Sequence, residues 1–484
     1  MRSSLTALAL AGAAAQKHIA LSNETVHWGY FSKLLSPVVT IKSGETVIVE
    51  MATHHACDDW DKMIKGDAGM ESIYKWNEKV KREAFRGATG TGDGVHVLTG
   101  PIFVEEAEPG DLLKVTILDL QPRINAEGRA FGSNANAWWG YQARMPQADG
   151  SFFEAGDHSG TPGFDEETVT IYELVTDAGN GMSYAVPSYA FKWPTLTDPD
   201  GTQRNYIKYP GTCVPHDSRD GTLVSKDVEE MGWTKEEDVV YFDDMYPAKI
   251  PIKFHVGCMG LPPASHDAVD SIPPMVTGGN LDNRKIGVGT SMYYPVEVAG
   301  ALLSMGDAHT AQGDSELDGT AIETSLTGKF KIELIKAKDF NAWQSEINFP
   351  LGETDEEYLI HAFTERDYLE TYFENPSMIF SASTPIDKAM KNAFIQTRRF
   401  LMAAYELSDA EATTIITTGV DFAVTQVVDG NFGVHAVVPK SLFKMHAFVS
   451  LDCPAACVKG KSRRSRNLKF GFMMHTACSM CYEA

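Results

Sequence analysis

The sequence predicts a mainly β fold with inserted helices and long loops, α+β overall, and three observations carry that expectation. Runs rich in β-branched and aromatic residues recur between glycine and proline turns. Helical periodicity is confined to a few stretches, and the regular strand and helix cadence of a doubly wound sheet is missing from the pattern.

The elements follow in chain order. Residues 37–51, PVVTIKSGETVIVEM, hold two β-branched runs joined through Ser43 and Gly44 and read as a hairpin. That hairpin would deliver the next residues, THHACDD, to a strand end, where polar groups can face a cleft. Residues 61–85 have helical character, with Met63, Ile73, Trp76 and Val80 on one apolar face, interrupted early by Gly66 and Gly69. The glycine-rich stretch 87–100, which contains His96, reads as a loop and lacks the lysine of a nucleotide-binding P-loop. Strands are expected at 101–105, 112–120, 168–175 and 329–334. Residues 184–215 are too irregular to assign. The segment Phe254, His255, Val256, Gly257, Cys258, Met259, Gly260 runs into Pro262 and Pro263 and suits the wall of a rigid pocket. Residues 385–418 return to a helical rhythm, with a break near Ser408 and Asp409.

A chain of 484 residues can build one large or two moderate cores without disulfides or a structural metal. Its 42 basic and 65 acidic side chains give a net charge of -23, which excludes a general nucleic-acid binder, because such proteins need a basic surface to displace counterions. The first fifteen residues, MRSSLTALALAGAAA, combine an early arginine, a short apolar run and an Ala-x-Ala ending, the pattern of a secretory signal. Cleavage there would place the protein in the secretory pathway or outside the cell, and retention would leave it cytoplasmic. With a cleaved signal, Asn23 would be a glycosylation acceptor. No other stretch offers about twenty uninterrupted apolar residues, so no integral membrane association is expected. Residues 16–443 are expected to form the catalytic region, with β-rich subdomains around one site. Residues 444–484 form an atypical tail, with Cys453, Cys457, Cys478 and Cys481 beside a basic run from Lys459 to Lys469. Its cysteine spacing only loosely matches a four-thiolate zinc site.

The chemistry concentrates in residues 278–284 and 306–316, where Asp282, Asp307, His309, Gln312, Asp314 and Glu316 lie among turn-forming glycines. Carboxylates and neutral imidazoles are the donors a divalent cation takes, and the same groups can position water. Asp307 and His309 point the same way if the chain is extended there. His54, His55 and Asp58 can supply an opposite wall. Cys258, three residues from His255, raises the alternative of a thiolate nucleophile, which requires a lowered thiol pKa and an oriented base.

The strings GGNLDNRKIGVGTSMYYPVEVAGALLSMGDAHTAQGDSE, HVGCMGLPPA, THHACDDWDKMIKG and TGPIFVEEAEPGD resemble the acetamidase/formamidase family, and HHACDDW and GCMG lean toward its formamidase branch. The likeness extends over about residues 27–443. It implies the acetamidase/formamidase-like fold, hydrolysis of a small linear amide to an acid and ammonia, a divalent metal (Zn²⁺ as the expected ion) and a homo-oligomer. The implied metal ligands are His54, Asp282, His309 and Glu316. Asp58, His309 and Glu316 are the implied catalytic groups, and His55, Cys258, Gly260 and Gln312 the implied substrate-binding ones. Formamide is the expected substrate, with acetamide or a small lactam as alternatives. A catalytically inactive, extracellular carbohydrate-binding protein is the competing reading, supported by the signal-like start and the abundant aromatics.

Overall fold

The structure is a computed structural model that describes residues 17–74, 94–136, 140–141, 168–192, 195–197, 203–205, 239–241, 248–380 and 385–443. The signal-like start, residues 75–93 and the cysteine-rich tail lie outside the described residues, as does Trp76 of the expected helical face.

Two large sheets dominate, so the mainly β expectation holds. One is a nine-stranded sheet in the order Lys17–Ile19, Thr46–Met51, Leu326–Ile335, Leu112–Pro122, Ser291–Pro295, Leu351–Glu353, Glu357–Phe363, Gly433–Pro439 and Asp421–Gln426. Along Thr46–Met51 and Leu326–Ile335 buried and part-exposed residues alternate, the period of strands with one face on a core. The second sheet has twelve strands and centres on Leu303–Ala311. That strand pairs antiparallel with His255–Gly260 on one side. Its other side is shared by Val97–Val104 and Ile322–Glu323. Every residue of Leu303–Ala311 is buried, as is every residue of His255–Gly260.

One apolar core joins the sheets. Val47, Val49, Met51, Val115, Phe330 and Ile332 of the first pack in the same cluster as Ile102, Val104, Val256, Leu303 and Met305 of the second. Burial of each such side chain stabilises by roughly 1.5–3 kcal/mol.

Three expectations change. Residues 37–51 are not a hairpin: Val39–Ile41 pairs parallel with Ile102–Val104 in the twelve-stranded sheet. Thr46–Met51 pairs with Leu326–Lys331 and Lys17–Ile19 in the other sheet. Both strands carry β-branched residues, so each finds a ladder, and the Gly44 turn, with φ of +89°, passes the chain between sheets. The expected helix over 61–85 begins as two short ones, Trp60–Met63 and Ala68–Tyr74, divided where Gly66 takes φ of +89°. Residues 306–311, which resemble a polar turn in isolation, form the buried central strand. The helical stretch 385–418 becomes Ile386–Tyr405 and Asp409–Gly419, with Ser408 and Glu411 forming a capping box at the break. None of the helices among the described residues is long and apolar enough to cross a membrane.

A buried histidine pair ties the nine-stranded sheet to the site region. His361 and His435 lie opposite each other on adjacent strands, their ring centroids 6.1 Å apart. His361 Nδ1 donates to the Pro350 carbonyl at 3.0 Å, and its Nε2 accepts from Asn283, next to Asp282, at 2.9 Å. Burial, reinforced by His435, pulls His361 down to about 3, and burial with nearby Lys285 and Arg284 pulls His435 to about 4. Both are therefore neutral in the folded protein while the unfolded chain titrates near 6.5. Between those limits the unfolded state binds more protons, so stability falls as pH drops below about 6.5 toward 4. His361→Gln should flatten that acid slope by roughly 2–3 kcal/mol, measured by denaturant unfolding at pH 7 and pH 4.5. An unchanged slope would remove the pair as its source.

Candidate metal centre

Strand register assembles the centre. His309 pairs with His255 on one neighbouring strand and Glu323 on the other, and Glu323 in turn pairs with Ser133. Cross-strand partners share a sheet face, so one row carries His255, His309, Glu323 and Ser133. Asp307, two residues from His309, projects beside it.

Hydrogen bonds fix which nitrogen of His309 faces inward. His255 Nδ1 lies 2.9 Å from the Lys253 carbonyl and donates to it, so His255 Nε2 is an acceptor. Gln312 donates its amide to the Asp282 carbonyl at 2.6 Å, turning its Oε1 toward both imidazoles. His309 Nδ1 stands 3.1 Å from His255 Nε2 and 3.1 Å from Gln312 Oε1, two acceptors that require it to carry the hydrogen. His309 Nε2 is left to face Asp307 Oδ2 at 3.3 Å, Glu323 Oε1 at 3.3 Å and Asp282 Oδ1 at 4.0 Å.

On the far side of Asp307, its Oδ1 lies 3.4 Å from His54 Nδ1 and its Oδ2 3.7 Å from His96 Nε2. His96 is held through Nδ1 by the Ser271 hydroxyl at 2.8 Å. Among the described residues, three groups have donor atoms within 4.8 Å of one another: His54, His96 and Asp307; Asp282, His309 and Glu316; Asp307, His309 and Glu323. All these side chains are buried.

The backbone is strained where the carboxylates emerge. Asp282, Asp307 and Glu316 adopt φ of +47°, +52° and +45°. Left-handed conformations cost non-glycine residues about 1–2 kcal/mol each, and such outliers cluster where surrounding structure aims a side chain at a site. Gly257, opposite Asp307 in the ladder, leaves the floor of the centre open. A Cβ there would lie 2.5 Å from Asp282 Oδ1, 2.5 Å from Asp307 Oδ2 and 2.5 Å from His309 Cε1.

The donors suit a divalent cation. His54 Nδ1, His309 Nε2, Asp307 Oδ1 and both oxygens of Asp282 are buried without a hydrogen-bond partner, an arrangement that is costly unless a cation completes it. The titration behaviour agrees. Burial, with the charges of Glu316 and Asp429, pushes Asp282 well above the usual carboxylate range. Glu316 is raised well above its ordinary value by burial and Asp429. Burial alone would lower His309, but Glu323 and Asp307 outweigh it and raise the imidazole well above its ordinary value. Burial alone would raise Asp307, but the surrounding imidazoles, His309 foremost, hold its carboxyl well below the usual range. Protons thus occupy positions that a cation would take over. His54, pulled down by burial and by His55 and His96, stays neutral and able to bind metal.

Of the sequence-derived ligands, the structure gathers Asp282, His309 and Glu316 into one group and places His54 in another with His96 and Asp307. Gln312 lies at the back of His309. His55 and Asp58 form their own pair beside the centre: His55 Nδ1 donates to Asp58 Oδ2 at 3.0 Å, and Ser133 donates to the same oxygen at 2.6 Å. Burial opposes protonation of His55, but Asp58 outweighs it and raises the imidazole. Cys258 and Gly260 are not brought to the donors. Cys258 packs with Phe31, Leu98 and Met275, and burial pushes its thiol well above the ordinary value, the reverse of what a thiolate nucleophile needs. Gly260 lets two strands close up, since a Cβ there would meet the Gly279 nitrogen at 2.2 Å. Sequence reasoning missed His96, Glu323 and Asp429 as members of the centre. His96 sits in a glycine-rich stretch with no ligand spacing, and Glu323 reaches His309 only through strand register.

A sheet-built, buried cluster of imidazoles and carboxylates, with its donors unpaired and converging, defines a mainly β protein whose centre could hold a metal ion. The chain belongs to the Acetamidase/Formamidase family, whose profile matches residues 17–445. It is 31% identical over 253 residues to the acetamidase of Mycolicibacterium smegmatis, a match covering 50% of this chain and 54% of that one. It is 30% identical over 260 residues to the formamidase of Methylophilus methylotrophus, covering 50% and 52%. The chain thus spans about half the length of the curated relatives it matches. Among solved structures, the acetamidase of Yersinia enterocolitica superimposes with a TM-score of 0.55 at 19% identity, covering 89% of this chain and 94% of that one. The acetamidase of Bacillus halodurans gives 0.53 at 20% identity, covering 87% and 98%. At such identities these structures speak for the shared fold.

Proposed function

We propose that the protein is a metal-dependent hydrolase of small linear amides, with formamide as substrate and formate and ammonia as products. The observation that carries this reading is the buried convergence of Asp282, Asp307 and His309 over Gly257, with unpaired donor atoms on all three and on His54 beside Asp307, in a chain of this family. The HHACDDW and GCMG segments favour formamide over acetamide or a lactam. When bound, a divalent cation, Zn²⁺ in this reading, supplies Lewis acidity that polarises a carbonyl and makes water acidic enough to attack near pH 7.

The chain's own residues do the rest. His309, its Nδ1 hydrogen committed to His255 and Gln312, presents Nε2 as a ligand in one orientation. Asp58 holds His55 with Nδ1 protonated, so Nε2 is the basic nitrogen. The pair takes a proton from attacking water and passes it to the departing nitrogen, which leaves as ammonia. Family membership also supports a homo-oligomer, which a mass measurement in solution would test.

The decisive experiment measures ammonia release from formamide, acetamide and small lactams together with metal content of the same sample. Fastest release from formamide by metal-bearing protein is expected. Folded, metal-bearing protein that frees ammonia from none of them would end this reading. Cys258→Ser should keep turnover within roughly threefold and metal content unchanged, because the thiol serves packing; loss of turnover in a folded variant would restore the thiolate mechanism.

A further inference from the structure

We propose that the centre holds two divalent cations per chain, bridged by the Asp307 carboxylate, one among His54, His96 and Asp307 and the other among Asp282, His309 and Glu316. This inference rests on the metal-dependent reading above and extends it from one ion to a pair.

The number of donors argues first. Seven side chains from three overlapping groups converge here. A small divalent cation takes four to six ligands, and catalytic sites leave at least one position open for water or substrate. One ion cannot use them all, whereas one ion among His54, His96 and Asp307 and a second among Asp282, His309 and Glu316 account for six.

The placement of unpaired atoms argues second. Asp307 Oδ1 faces His54 Nδ1 at 3.4 Å, while its Oδ2 faces His309 Nε2 at 3.3 Å. Oδ2 also lies 3.7 Å from His96 Nε2, so the Asp307 carboxylate stands between the donors of both groups, the place of a bridging ligand. Unpartnered buried atoms stand on both sides of it: His54 Nδ1 on one, His309 Nε2 and both Asp282 oxygens on the other. A single ion on either side would leave the other side's orphans unsatisfied.

Charge argues third. Asp282, Asp307, Glu316 and Glu323 are all nearly or fully buried. Among the described residues, every ion pair that Asp282, Asp307 and Glu323 make is to a histidine, none to lysine or arginine. With Asp429 the centre carries five buried carboxylates; two dications offset four of these charges, whereas one leaves a larger buried excess of negative charge that needs protons to neutralise it. Paired ions sharing a carboxylate suit amide hydrolysis, since one can orient the carbonyl while the other activates water.

The test is stoichiometry and magnetism on the full chain. The purified protein is titrated with Zn²⁺ and, separately, with Mn²⁺, and bound metal is counted by mass spectrometry. Electron paramagnetic resonance is recorded on the Mn²⁺ form. Two equivalents per chain and an exchange-coupled Mn²⁺ signal are expected. His96→Ala and Glu316→Gln should each fall to one equivalent and lose the coupled signal. Saturation of the wild type at one equivalent overturns the two-ion proposal while leaving a metal-dependent hydrolase standing. No stoichiometric metal at all overturns both. Two equivalents retained in folded His96→Ala would overturn the His54 and His96 position. The wild-type count decides the matter even if a variant fails to fold.

Discussion

If the protein is the metal-dependent formamide hydrolase proposed above, His309→Ala is expected to lose bound metal and ammonia release together, the turnover by about three powers of ten or more. Among the described residues, His309 is the only imidazole whose Nε2 faces carboxylates of both neighbouring donor groups, with Asp307 at 3.3 Å and Asp282 at 4.0 Å. Removing it deletes a ligand and leaves Glu323 and Asp307 without their shared partner in a fully buried place. Each factor of ten in rate corresponds to about 1.4 kcal/mol, so the loss of several kcal/mol of electrostatic stabilisation readily gives that drop. His309→Gln keeps most of the volume and separates packing from ligation: it should fold with near wild-type circular dichroism yet carry little metal. Full turnover with unchanged bound metal in either variant would remove His309 from the centre.

How far the sequence foretold this centre depends on how each residue arrives there. Asp282, His309 and Glu316 were legible through the long family-like stretch that carries all three in glycine-punctuated segments, and the structure does gather them. Asp307 and His309 were expected to share a side if extended, and the strand Leu303–Ala311 makes them do so. The partition of the ligands was not legible. His54 joins His96 across a break in the chain pattern, and that pairing depends on how Val97–Val104 packs beside the central strand, which no local spacing encodes. Glu323 reaches His309 by antiparallel register, and Asp429 comes from a turn after the edge strand Asp421–Gln426. The failed hairpin has the same origin: β-branched runs announce strands but not which sheet they enter. Helix boundaries fared better at Ser408, where the stop and start signals are local and chemical.

Gly257→Ala is the smallest change that should disable the protein. The added methyl carbon would sit 2.5 Å from Asp282 Oδ1, Asp307 Oδ2 and His309 Cε1 at once, a separation that real contacts do not show. None of the three can simply swing away. Asp282 and Asp307 are held by positive-φ backbone, at +47° and +52°, and His309 is pinned from behind by His255 and Gln312. The strand carrying Gly257 is itself flanked on both sides, by Leu303–Ala311 and Gly278–Asn280. Relief therefore comes from spreading the donors, which costs about 1–3 kcal/mol of stability and destroys their convergence. A melting temperature lowered by a few degrees, metal content near zero and at least a hundredfold loss of turnover are expected. Gly313→Ala supplies the control, since nothing lies within 4 Å of a Cβ at that position. Gly313 lies between Gln312 and Asp314, so a general intolerance of this region to alanine would show there too. If Gly257→Ala binds metal and turns over formamide as the wild type does, the carboxylates and His309 do not meet over Gly257 in the working protein.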